Sequence, residues 1–137
     1  MSYKQCLELA GAKVYEFDNF GSYQGDWWAK VEYQGKIGWI HGWFGSCSGC
    51  DAFQAEFDFE SHEHEDDNYI SYYDLPEKFK EDCPHCQDLM KRMKEFGEKY
   101  LNDLYTQNEA EIEAGRNLDW DGEAREMLDF IKNNKIE

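Results

Sequence analysis

At 137 residues the chain is long enough to bury one core, and its 41% hydrophobic and 17% aromatic content supplies the material, which excludes a compositionally disordered chain despite 32% charge. Thirty acids against 14 bases leave a formal net charge of −16. Such a charge excludes direct binding to nucleic acid or anionic membranes and favours basic protein partners. No run of about 18 apolar residues is present, so no membrane-spanning helix is expected. The N-terminal stretch lacks the apolar centre of a signal peptide, and a cytoplasmic location is the expectation.

In chain order, Lys13–Phe17 alternates and predicts a short strand, and residues 18–25 read as a loop rich in turn formers. Trp27–Tyr33 predicts a second strand, Gln34-Gly35-Lys36 a turn, and Ile37–Trp43 the returning strand of a hairpin. Trp27, Ala29, Val31 and Tyr33 share one face of the first arm. Ile37, Trp39, His41 and Trp43 share one face of the second. The glycines at 38, 42 and 45 predict a bulge or the close approach of another backbone. Residues 44–50 form a tight loop, and the alternating phenylalanines of 51–60 predict a strand. A polar acidic stretch follows, with a short strand or turn at 69–73.

Pro76 opens a short helix reaching about Lys80. Pro84 suits the first turn of a longer one, with Cys83 as N-cap. Leu89, Met93, Phe96, Tyr100 and Leu104 then recur at steps of three and four, predicting one helix that ends at Gly115. Gly97 interrupts it at a cost of about 1 kcal/mol relative to alanine. A last helix, capped near Asp121, puts Ala124, Leu128 and Ile131 on one side and ends at Asn133-Asn134. The pattern predicts an α+β fold in one domain: a β-rich front (1–74) with a small antiparallel sheet, packed on a helical back (75–137).

Four of the five cysteines fall into two pairs, Cys47-Ser-Gly-Cys50 and Cys83-Pro-His-Cys86. Two such pairs present four thiolates, which is the donor set of a closed, structural, tetrahedral zinc site. The expected cofactor is therefore one Zn²⁺ tying the front to the back. A thiol redox centre at Cys83 is the alternative: a helix N-terminus and His85 both favour the thiolate. That motif normally follows a buried strand, whereas residues 77–82 are charged. A hydrolytic metal site built from His41, His62, His64 and His85 with Glu63, Glu65, Asp66 and Asp67 is a further alternative, requiring three fixed ligands and an open position. His41 is expected to be a hairpin residue and Cys6 a small buried hydrophobe. No catalytic residue is assigned.

The acids are clustered. Residues 51–74 carry Asp51, Glu56, Asp58, Glu60, Glu63, Glu65, Asp66, Asp67 and Asp74 with no lysine or arginine. A second group comprises Glu109, Glu111, Glu113, Asp119, Asp121, Glu123, Glu126 and Asp129. Spaced carboxylates on a rigid surface imitate a phosphate backbone and fit a basic nucleic-acid channel. Glu56, Asp58, Glu60, Glu63, Glu65, Asp66 and Asp67 are the candidate partner-binding residues. Trp27, Trp28 and Tyr72 are the aromatic alternative.

Gly-Ser-Cys-Ser-Gly-Cys-Asp-Ala-Phe-Gln-Ala-Glu-Phe at 45–57, with Gly-Trp-Ile-His-Gly-Trp before it, resembles a segment of small proteins encoded by bacteriophages and other mobile elements. The resemblance implies a bacterial cytoplasm during infection, where small acidic proteins block host defence nucleases. The expected function is a zinc-stapled acidic protein that binds and inhibits a host nucleic-acid-binding defence protein, a CRISPR effector or a restriction nuclease.

Overall fold

The computed structural model describes residues 2–22, 24–45, 51–52, 62–63, 69–70, 84–116 and 122–136. The fold is α+β. Three strands, β1 (Lys13–Gly21), β2 (Gly25–Tyr33) and β3 (Lys36–Phe44), form an antiparallel meander in that order. A two-residue ladder pairs β4 (His62–Glu63) with β5 (Tyr69–Ile70). The described helices are α1 (Ser2–Leu9), α2 (Pro84–Tyr100), α3 (Gln107–Ala114) and α4 (Gly122–Asn133).

The β2–β3 hairpin forms as its alternation predicts. Gln34 and Gly35 take φ of 52° and 81°. Positive φ at both central positions is the type I′ geometry whose twist matches the flanking strands. Tyr33 pairs with Lys36, which fixes the register through to Gly25 opposite Phe44. The stretch 18–25, expected as a loop, is largely strand: β1 continues to Gly21, and Gly21 pairs with Gly25. Phe20 explains the extension, because it is buried at 6% exposure on the sheet and meets Phe130 of α4 edge-on at 5.6 Å. Of the two alternatives the glycines offered, the close approach of another backbone holds at Gly38, where a Cβ would lie 3.0 Å from the Tyr105 carbonyl oxygen, and the bulge lies instead in β1, between Val14 and Glu16. Gly42 serves close packing, with the Trp27 indole lying over it where a Cβ would project.

The two faces of the sheet carry separate cores. On one face Trp27, Ala29, Val31 and Ile40 pack with Tyr3, Cys6 and Leu7 of α1 and Leu89, Met93 and Phe96 of α2. On the other, Phe20, Trp28 and Trp39 pack with Ala110 and Ala114 of α3 and Ala124, Met127, Leu128 and Ile131 of α4. Full burial of such side chains contributes about 1.5–3 kcal/mol each. The C-terminal helices thus pack on the small antiparallel sheet as expected, covering both of its faces, and α1 adds cover to one of them from the N-terminus. Tyr3, Cys6, Leu7 and Ala10, all buried, recur at helical spacing and form the stripe that seats α1. Trp27 and Trp28, offered as binding aromatics, are both fully buried.

The single long helix expected up to residue 114 is two helices. The chain leaves α2 after Tyr100, and Tyr105 exchanges both backbone hydrogen bonds with Trp39 on the outer edge of β3 (2.8 and 2.9 Å). Leu101 and Leu104 belong to the first core and Tyr105 to the second, so this connector carries the chain around the sheet edge. Thr106 restarts the helix. Its hydroxyl accepts from the Glu109 N–H while the Glu109 carboxylate accepts from the Thr106 N–H, a capping box.

Candidate functional site

Among the described residues the most open chemistry lies where β3 runs past the cover of α3 and α4. On that face Trp39 is fully buried, the His41 side chain is 10% exposed and Trp43 is 66% exposed. Strand alternation puts the three side chains in a row. The row starts in the core and ends in solvent. His41 stacks on Trp28 at 4.4 Å with the rings 6° from parallel, and its Nε2 lies 2.9 Å from the Asp26 carboxylate. Asp26 and Trp43 are cross-strand partners, and the His41 and Trp43 rings are 4.8 Å apart. Asp26 thereby orients the imidazole, and the imidazole in turn supports the exposed indole. Among the described residues Asp26 is the hydrogen-bond partner of the His41 ring, so the pair acts here as a brace.

Beside this row a groove of about 590 Å³ runs between the outer edge of β3 and the α2–α3 connector. Its lining includes His41, Trp43, Asp103, Leu104 and Glu109. The hydrogen bonds from Thr106 hold the Glu109 carboxyl below the usual carboxylate range, so it stays charged. Asp103 is exposed. Lys99 contributes one positive charge to the same lining. The α3–α4 layer continues the acidic character: Glu109, Glu126 and Asp129 are exposed, and Glu111, Glu113 and Glu123 are half-buried. Arg116 pairs with Glu113 at 2.8 Å, and the exposed Arg125 and Lys132 of α4 offset part of the charge, so the layer is left net negative. Asp119 and Asp121 lie outside the described residues.

Of the partner-binding carboxylates expected from sequence, Glu63 falls on β4. Glu56, Asp58, Glu60, Glu65, Asp66 and Asp67 lie outside the described residues, as does Tyr72. Of the zinc ligands, Cys86 belongs to the first turn of α2, and Cys47, Cys50 and Cys83 lie outside the described residues. Among the described residues no group of three or more His, Cys, Asp or Glu side chains gathers in a metal-binding arrangement. The residues flanking the first cysteine pair are drawn together, however. The Gly45 N–H donates to Asp51 Oδ1 at 3.0 Å, and the Tyr3 hydroxyl donates to the same oxygen at 2.8 Å. Asp51 is 5% exposed, so this clamp is buried against α1. Such bonds to a charged acceptor contribute about 1.5–3 kcal/mol. Burial, with the Asp51 charge and Cys6 nearby, pushes the Tyr100 hydroxyl up to about 12. The Cys6 thiol is 1% exposed and is pushed up to about 12 by burial, which makes it the inert apolar residue expected.

The exposed indole and the connector groove are features that sequence reasoning missed. The alternation of Ile37, Trp39, His41 and Trp43 specifies their shared face, but where the covering helices stop is a tertiary fact. Compared with protein-family models, with curated proteins and with solved structures, the chain matches none.

Proposed function

We propose that this chain is a zinc-stapled acidic binding protein that engages and inhibits a basic, nucleic-acid-binding host defence protein such as a CRISPR effector or a restriction nuclease. The observation that carries the reading is the charge: −16 overall, with no lysine or arginine among residues 51–74. The exposed acids Glu109, Glu126 and Asp129 of α3 and α4 add to that negative charge. Carboxylates held on such a surface compete with phosphates for a cationic channel. Cys47, Cys50, Cys83 and Cys86 would hold the zinc, whose four thiolates leave no open coordination position and give it a structural role.

The test is capture from bacterial lysate by the wild-type chain and by a quadruple variant, Glu63→Lys, Glu65→Lys, Asp66→Lys and Asp67→Lys. Wild type retains nucleic-acid-binding proteins, and they are released by salt, because the Debye length is about 8 Å at physiological ionic strength. Added nucleic acid also displaces them, and the quadruple variant loses them. Retention of the same proteins by both chains would remove the acidic segment from the account.

A further inference from the structure

We propose that the outer edge of β3 at His41–Trp43 is a docking site for an extended basic segment of a partner protein, which pairs with the sheet as an added strand. The proposal rests on the reading of this chain as a binder of basic proteins and names the element that it would recognise.

The backbone geometry comes first. Trp39 exchanges both its N–H and its C=O with Tyr105, on the side away from β2. In an antiparallel pair, residues alternate between pointing these groups at one neighbour and at the other. The β2–β3 register runs unbroken from Tyr33–Lys36 to Gly25–Phe44. His41 and Trp43 therefore direct their N–H and C=O groups outward, along the same edge as Trp39. No described residue hydrogen-bonds to those groups. The connector meets the edge at Tyr105 alone and then diverges, so the groove of about 590 Å³ opens beside the unpaired groups.

An unpaired strand edge is a template for another chain, and folded proteins cover or block it unless it is used. Among the described residues this edge is covered at Trp39 and open two residues later. Its neighbours are suited to a peptide. Trp43, 66% exposed, gives an aromatic surface for an aliphatic or cationic side chain. Leu104 forms an apolar wall, and Asp103 and Glu109 outnumber Lys99 among the charged lining groups. In strand addition the main-chain hydrogen bonds provide affinity, and alternate side chains provide selectivity. Here the selectivity is for positive charge.

The probe is a short synthetic peptide of alternating lysine and valine, with a glutamate–valine peptide as its charge-reversed control. A third peptide keeps the lysine and valine side chains but carries N-methyl groups on alternate amides, which removes the donors and blocks pairing. Binding is followed by amide chemical shifts and hydrogen exchange on the folded wild-type protein. The lysine peptide should move and protect the His41 and Trp43 amides. Backbone methylation should weaken it by about tenfold or more, the worth of one or two net hydrogen bonds. Trp43→Pro, which removes an outward N–H at an edge position that tolerates proline, should lose the peptide. Trp43→Ala should retain part of the affinity.

Equal binding of the N-methylated peptide would overturn the proposal and reduce the interaction to surface charge. Equal binding of the glutamate peptide, or no shift at His41 and Trp43, would overturn it as well. None of these results depends on the lysate capture, so the edge can fail while the acidic-surface reading stands, and the reverse.

Discussion

Gly97→Ala opposes two effects of known size. On sequence alone the substitution stabilises, because alanine is better than glycine in a helix interior by about 1 kcal/mol. In the fold, Gly97 is where α1 crosses α2. A Cβ there would run into the Cys6 carbonyl group and lie 3.1 Å from the Leu7 nitrogen. Those atoms are backbone, so no rotamer change relieves the contact, and α1 has to move. Tyr3, Cys6 and Leu7 are each at most 3% exposed and would lose packing with it. Overpacking of this kind costs about 1–3 kcal/mol and reaches its upper range when backbone must shift. The net expectation is destabilisation of about 1–2 kcal/mol, a fall in Tm of about 3–10 °C for a chain of this size. Urea unfolding followed by circular dichroism measures it. Gly122→Ala is the control, since nothing lies within 4 Å of its Cβ position, and it should leave stability unchanged or raise it. A Gly97→Ala protein stabilised by the full propensity difference would refute the seating of α1 on α2.

The purified protein should contain close to one zinc per chain, and Cys47→Ser or Cys83→Ser should lose both metal and fold, since zinc binding contributes roughly 10 kcal/mol or more in small zinc domains; native mass spectrometry of a folded, metal-free wild type would contradict this. Thr106→Ala should cost about 0.5–2 kcal/mol through loss of the α3 cap, measured by chemical denaturation. Alkaline stability should fall from about pH 9, because the Cys6 thiol and then the Tyr100 hydroxyl ionise far more readily in the unfolded chain than in the fold, where both are held up to about 12. Raised folded-state values mean that this stability is complete below pH 9 and declines toward pH 12. Cys6→Ala should move the onset up to about pH 10, the ordinary value for tyrosine, and an unchanged onset in a pH series of melts would contradict the assignment.

The hairpin was legible because two local signals agree: alternation over Trp27–Tyr33 and Ile37–Trp43, and a Gln-Gly pair able to take positive φ. Cys6 and the last helix were legible for similar reasons, as burial and periodicity point one way. The break between α2 and α3 was not, because Tyr100, Leu101, Leu104 and Tyr105 prolong the apolar stripe past the helix end. That stripe serves both faces of the sheet through an irregular connector, which periodicity reads as one more turn. The Thr106-x-x-Glu109 capping box was the signal that marks the restart. The extension of β1 depended on Phe20 finding Phe130, a contact across the chain that no local pattern contains. Trp27 and Trp28 illustrate the same limit from the other side. Adjacent residues on a strand face opposite ways, and both are buried only because helices cover both faces.

The claim that most needs a direct answer is inhibition. The measurement is cleavage of cognate nucleic acid by the captured nuclease as this protein is titrated in at fixed zinc content, repeated at a series of ionic strengths. The account predicts that cleavage is lost near one equivalent, recovers as nucleic acid is raised or salt is added, and is unaffected by the quadruple charge-reversed chain. Undiminished cleavage at saturating wild-type protein, or equal inhibition by the charge-reversed chain, would contradict it.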